Sequence, residues 1–258
     1  MDRVYSLTDD KRYLILSRIL SREGITTEFI TPGEVKDLPD LPVILLAHPG
    51  MDRETQRKVL LSAPRGSRLC AGRLWNENAA VASERGIDCF CFDQDESYLS
   101  QNALLTAEGC LETVLRETPF ALSDCPVLVT GFGRVGRECA RLFRRCGARV
   151  AVLARRGKSY EAALNEGFEV VDCEKIPVKR RERVLVNTVE KKGFVNEKVW
   201  SFCVDLALIV DLASGKDNVD PGIPDGVRFA GAPGLPGKCA PESAALILYR
   251  FLKRREII

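Results

Sequence analysis

The stretch that most restricts how this chain can fold is Val127-Leu128-Val129-Thr130 running directly into Gly131-Phe132-Gly133-Arg134-Val135-Gly136. A short β-branched apolar run is the composition of a strand buried on both faces of a parallel sheet. Val135, Cys139, Leu142, Phe143 and Cys146 then recur at helical spacing and define one face, and Gly147 stops the helix. Strand, glycine turn and amphipathic helix make the front half of a dinucleotide-binding βαβ unit. In such a unit Gly131 permits the tight turn, Gly133 lets the backbone approach a pyrophosphate, and Gly136 lets helix pack closely on strand. The phosphates rest on the positive end of the helix, where Arg134 and Val135 form the first turn.

The second strand of the unit is expected at Arg149 to Leu153, and Arg155 and Arg156 follow it where an aspartate or glutamate would accept the ribose 2′-hydroxyl of NAD. Arginine there accommodates a 2′-phosphate instead. The reading is an NADP clamp at Arg155, with Arg156, Lys158 and Ser159 as helpers and NAD as the alternative cofactor.

A chain of 258 residues with 45% hydrophobic content can bury a large core and divides naturally into two domains. The formal net charge of +2 makes no electrostatic case for nucleic acid. No apolar run approaches membrane length and the opening residues show no signal-peptide pattern, so a cytoplasmic protein without a membrane partner is expected. The ten cysteines include no C-x-x-C, and Cys89 and Cys91 alternate along a strand-like run, pointing to opposite faces. With His48 the only histidine, no metal site is expected, and the cysteines read as small buried hydrophobes.

The first 95 residues alternate strand and helix: strands near Val4 to Leu7, Ile25 to Ile30, Val43 to Ala47, Arg68 to Ala71 and Cys89 to Phe92, with helices between them. That alternation specifies a second doubly wound parallel sheet, flavodoxin-like and without a glycine fingerprint. His48 follows its third strand, where a histidine faces either a ligand crevice or only its own loop. A connecting helix is expected from Thr106 to about Thr118. Asn102, Thr106 and Glu108 either line a substrate cleft, with Asn102 and Glu108 as catalytic candidates, or serve as turn, cap and dipole partner.

Beyond the glycine turn, strands at Arg183 to Val186 and Leu208 to Val210 end in Asn187-Thr188 and Asp211-Leu212-Ala213-Ser214. Polar residues at the carboxyl ends of parallel strands face the ligand crevice. Asn187 and Thr188 are therefore read as cofactor lining, Asp211 as a catalytic candidate and Ser214 as a substrate contact. The basic run Lys175 to Arg183 reads as a solvated face. Two Pro-Gly steps in Ala232 to Pro241 suggest a rigid loop, with Pro233, Gly234, Gly237 and Lys238 near substrate.

The tail L-I-V-D-L-A-S, the loop A-P-G-L-P-G-x-x-A-P before a helix, the turn G-F-G-R-V-G and the earlier N-A-L-L-T-A-E-G together resemble the family of the dipicolinate synthase A-subunit. The likeness covers nearly the whole chain, including the opening V-Y-S-L-T-D-D-K-R. It implies two doubly wound α/β domains and a C-terminal helix returning to the first. The segments are 1–100, a connecting helix at 101–124, a dinucleotide-binding Rossmann domain at 125–240 and a helix at 241–258. The resemblance further implies NADP-dependent oxidation of dihydrodipicolinate to dipicolinate, in endospore formers, with a flavoprotein-like second subunit. The chain departs from the family pattern at Leu7-Thr8, at Val189-Glu190 and at Gly215 to Asn218, so a related cyclic dicarboxylate remains an alternative substrate. A non-catalytic NADP-binding regulatory or partner subunit is a further alternative. A D-2-hydroxyacid dehydrogenase is disfavoured because no histidine follows residue 48. Oligomeric state, a homo-oligomer included, is left open by the sequence.

Overall fold

The computed structural model describes residues 3–176 and 179–258. Met1 and Asp2, and Pro177 and Val178 of the basic run, lie outside the described residues. The chain forms two compact units: one runs up to Asn102 and includes Ala240–Ile258, the other is Ala103–Cys239.

In the first unit, strands β1 (Arg3–Ser6), β2 (Thr26–Phe29), β3 (Ile44–Leu46), β4 (Arg68–Ala71) and β5 (Asp88–Cys91) pair in the order β2-β1-β3-β4-β5, parallel throughout. Helices α1 (Lys11–Ser21), α2 (Arg53–Ser62) and α3 (Ala79–Glu84) connect them. Ile44, Leu45 and Leu46 are almost entirely buried, as a central strand covered on both faces requires. The chain order reverses between β1 and β3, which is the switch point of this sheet.

Helix α4 (Glu96–Glu117) begins ten residues before the expected start at Thr106. Its cap is Asp95, whose carboxylate accepts the amide of Tyr98 at 2.7 Å. Ala103 continues the buried face of Ala107, Cys110 and Val114, and Tyr98 and Leu105 are buried on the other side of the helix. Asn102 and Thr106 are therefore interior helical residues, and the expectation of a turn at Asn102 and a cap at Thr106 is corrected.

The second unit contains β6 (Pro126–Thr130), α5 (Arg134–Arg145), β7 (Arg149–Ala154), α6 (Lys158–Asn165), β8 (Glu169–Asp172), β9 (Val184–Asn187), α7 (Glu197–Trp200), β10 (Leu208–Asp211), β11 (Arg228–Gly231) and α8 (Leu235–Cys239). The strand order is β11-β10-β9-β6-β7-β8, all parallel. This is the doubly wound order of dinucleotide-binding domains, with its switch point between β6 and β9. Val127, Val129, Val184, Val186, Leu208 and Val210 face one core with Phe143 and Cys139 of α5. Leu128, Leu185 and Ile209 face the other, with Trp200 and Phe202. Each such fully buried side chain contributes roughly 1.5–3 kcal/mol, so the two faces anchor the sheet independently of any ligand.

Three local expectations are corrected. Cys146 and Cys239 are exposed rather than buried, Cys146 because it ends α5 beyond its packed face. The basic run is not simply a solvated face, since Arg180 bonds Glu182, which is only 2% exposed, as well as Glu169. The second Pro-Gly step is not loop, because Pro236 and Gly237 are buried within α8.

The C-terminal helix α9 (Pro241–Arg254) packs on α1 in the first unit. Phe251 joins Phe92 and Tyr98 in an aromatic cluster with centroids 4.8–6.1 Å apart, and Arg254 and Arg255 close on Asp95. Among the described residues no helix is long and apolar enough to cross a membrane.

Candidate functional site: the β6/β9 switch point

β6 ends at Thr130 and the chain turns at Gly131, whose φ of +79° favours glycine and whose amide donates to Leu153 O at 2.8 Å. Gly136 is needed for a different reason. A Cβ there would fall 2.4 Å from Gly131 O, so the helix reaches this close to the strand only without a side chain. Gly133 is the opposite case: it is exposed and a Cβ would meet nothing within 4 Å. It stands as the N-cap of α5 and, as glycine, brings no side-chain cap to the first turn of the helix. Uncapped helical amides beside open space are what a pyrophosphate requires. The residues present therefore fit a dinucleotide.

The next contact region lies after β7. Arg155, Arg156, Lys158 and Ser159 are all exposed, the last two in the first turn of α6. Arg156 is held from behind: its Nε donates at 2.7 Å to Oδ2 of Asp172, which is 8% exposed at the end of β8, and its guanidinium lies 5.9 Å from the Tyr160 ring. The Arg156 hydrogen bond holds the Asp172 carboxyl below its ordinary range, aided by the Glu174 amide. Arg156 thus presents its outer nitrogens while the inner one is occupied.

Across the switch point, the polar strand ends bond mainly to one another. Asn187 is fully buried. Its Oδ1 accepts from Thr130 Oγ1 at 2.6 Å and from the Val189 amide at 3.2 Å. Its Nδ2 donates to Asp211 Oδ1 at 2.8 Å and to Val189 O at 3.2 Å. All four hydrogen-bonding positions of the amide are used, so Asn187 braces the crevice and does not line it, which corrects the expectation of a cofactor contact. Asp211 also accepts from the Ala213 amide and from Asn218 Nδ2, at 3.2 and 3.3 Å. Its carboxylate ties the loops after β9 and β10 together. Thr188 donates to Thr130 O at 2.6 Å, and its Oγ1 would lie 3.1 Å from a Cβ on Gly131, which puts it against the glycine turn.

The remaining candidates are scattered in their environments. Glu108 is exposed on α4 and, among the described residues, has no hydrogen-bond or ion-pair partner. Thr106 is buried and Asn102 half-buried on the same helix. Ser214, Pro233, Gly234 and Lys238 are exposed, whereas the Gly237 amide donates to Gly234 O at 3.2 Å. The Gly237 amide is therefore already used, and the expectation that it holds a substrate carboxylate is corrected. Thr130, Asp172 and Asn218 escaped the sequence reading. The only signal for Thr130 was a hydroxyl ending an otherwise apolar strand, and Asn218 lay in a segment noted merely as a departure.

Comparison with known proteins bears on this region first. Residues 102–221 match the family model described as the S-adenosyl-L-homocysteine hydrolase NAD-binding domain. The A-subunit of dipicolinate synthase from Bacillus subtilis (strain 168) is 29% identical over 181 residues, 69% of this chain. The matched part spans 60% of that relative's length. Among solved structures, the dipicolinate synthase A-subunit from Bacillus halodurans superposes with a TM-score of 0.77 at 21% identity, covering 98% of this chain and 97% of the other. The corresponding dipicolinate synthase structure from Bacillus subtilis gives 0.79 at 20%, covering 99% and 95%. The second unit thus matches an NAD-binding domain model, and the chain shares the fold of these solved structures.

Proposed function

We propose, from the premise that this chain is a member of the dipicolinate synthase A-subunit family, that it oxidises dihydrodipicolinate to dipicolinate with NADP, together with a flavoprotein-like second subunit. The observation that carries the reading is the β6/β9 crevice with uncapped amides at Gly133 and an arginine pair, not a carboxylate, directly after β7. The bound nicotinamide supplies a hydride acceptor. The first-turn amides of α5, with Arg134, hold the pyrophosphate, and Arg155 with the outer nitrogens of Arg156 holds the 2′-phosphate, helped by Lys158 and Ser159.

The substrate ring loses a hydride and a proton, and aromaticity is gained. Glu108 accepts the proton, being an exposed carboxylate without a partner. Asp211 and Asn187 act indirectly by keeping the loops that carry Thr188 and Ser214 in register. Lys238 and Ser214 supply polar contacts to substrate carboxylates.

The saturation of Asn187 and Asp211 favours one second reading, an NADP-binding partner subunit whose catalysis lies on another chain. Purified protein, with and without its co-encoded partner, is assayed for NADP-dependent formation of dipicolinate from freshly generated dihydrodipicolinate. Product formation that falls at least roughly tenfold with Glu108→Gln supports the first reading. NADP binding without product in either mixture supports the second.

A further inference from the structure

The only histidine of the chain stands at the switch point of the first unit. His48 follows β3, beside the turn after β1 that contains Thr8 and Asp10 and opens α1 with Arg12. The loop it belongs to is held in place: a Cβ on Gly72 would fall 1.8 Å from Pro49 O, so backbone lies on backbone there. Arg12 is 7% exposed and reaches Asp10 through two bonds, Nε to Oδ1 at 2.7 Å and Nη2 to Oδ2 at 3.0 Å. That pair is neutral overall and leaves the Arg12 fork with donors to spare.

Those donors meet a conflict at the imidazole. The Gly50 amide points at His48 Nδ1 at 3.0 Å, and Arg12 Nη2 lies 3.4 Å from Nε2. A neutral imidazole offers one acceptor nitrogen and an imidazolium offers none. Whichever nitrogen carries the proton, one N–H therefore faces another. The Gly50 contact is local and shorter, which leaves the proton on Nε2, facing Arg12. Asp10 Oδ2, at 3.9 Å from Nε2, is beyond hydrogen-bond reach. An almost wholly buried guanidinium and an exposed imidazole thus present converging N–H groups, and the one carboxylate beside them, Asp10, bonds Nη2 at 3.0 Å but does not reach Nε2.

We propose that this cluster is a binding site for a carboxylate of a small anionic ligand, one oxygen accepting from both Arg12 Nη2 and His48 Nε2. Such an oxygen removes the donor–donor contact, and Asp10 keeps the guanidinium oriented toward it. The start of α1, whose N-cap is Asp10, adds a favourable dipole. The open carboxyl end of a doubly wound sheet at its switch point is where such a ligand is accommodated. The site rests on the proposed function only for the ligand's identity, a pyridine dicarboxylate.

Because the chain has one histidine, its imidazole is a single-residue probe. Full-length protein labelled at histidine is followed by NMR while dipicolinate, and separately malonate, is added. The imidazole resonances are expected to shift saturably with dipicolinate. In calorimetry, His48→Gln is expected to weaken dipicolinate about tenfold while leaving NADP affinity unchanged. Arg12→Lys, which keeps the charge but loses the fork, should act in the same direction. A shift with malonate but not dipicolinate keeps the carboxylate site and counts against the dipicolinate reading. An imidazole unmoved by either ligand overturns the inference, and leaves the proposed function to its own assay.

Discussion

Both units wind helices around a parallel sheet and bring polar residues to the strand ends where chain order reverses, yet they treat those residues in opposite ways. At β6/β9 the side chains of Thr130, Asn187, Asp211 and Asn218 satisfy one another, and the ligand surface is left to backbone amides at the start of α5. At β1/β3 the backbone is occupied, with Gly50 turned onto His48, and the groups left facing one another are side chains, Arg12 and His48. Polarity at a strand end is therefore a poor guide to ligand contact. What matters is which donors lack an acceptor once the local network has been counted.

The comparison is broken most forcefully at the glycine turn. Gly136→Val drives a side chain into Gly131 O and should destabilise the protein by about 1–3 kcal/mol, with loss of nucleotide binding. Gly133→Ala has open space around it and should leave thermal unfolding within about 0.5 kcal/mol of the parent. Its NADP affinity should nonetheless fall on the order of tenfold, about 1.4 kcal/mol. Equal effects of the two substitutions on stability would mean that Gly133 serves packing rather than ligand approach.

A smaller effect sharpens the picture of the first unit. Burial, and then the Arg12 charge, hold the His48 pKa below its ordinary value, with Asp10 opposing. The unfolded chain therefore takes up a proton near pH 6.5 that the folded chain refuses. Stability conferred by the neutral ring is full above about pH 6.5 and is lost as pH falls through the folded value. Denaturant unfolding across pH 5 to 8 should show this decline, and His48→Gln should flatten it. An unchanged slope in the variant would place the titration elsewhere.

Much of this architecture was legible in the sequence because it rests on local signals. The strand Val127 to Thr130, the glycine turn and the apolar face of α5 define their elements within about twenty residues. The start of α4 was not legible, because Asp95 caps it through Tyr98 and the next turns are helical by virtue of what Tyr98 and Leu105 bury against. Strand β11 was missed for a similar reason: Arg228 and Phe229 lie on an exposed edge whose pairing to β10 is set by the sheet, not by hydrophobic alternation. The site divided along the same line. Gly131, Gly133 and Gly136 declare their roles by type and spacing, whereas Asn187 and Asp211 have roles set by partners distant in sequence. Asn187 lies 57 residues from Thr130 and 24 from Asp211.

The central claim is that the second unit binds a nicotinamide dinucleotide through uncapped backbone amides and recognises its 2′-phosphate through Arg155. Calorimetric titration of the parent and Arg155→Asp proteins with NADP and with NAD tests it most directly. The account predicts tighter binding of NADP than NAD by the parent, and a loss of NADP affinity in the variant of roughly tenfold or more with NAD little changed. Equal loss of both cofactors, or a parent that prefers NAD, would contradict it.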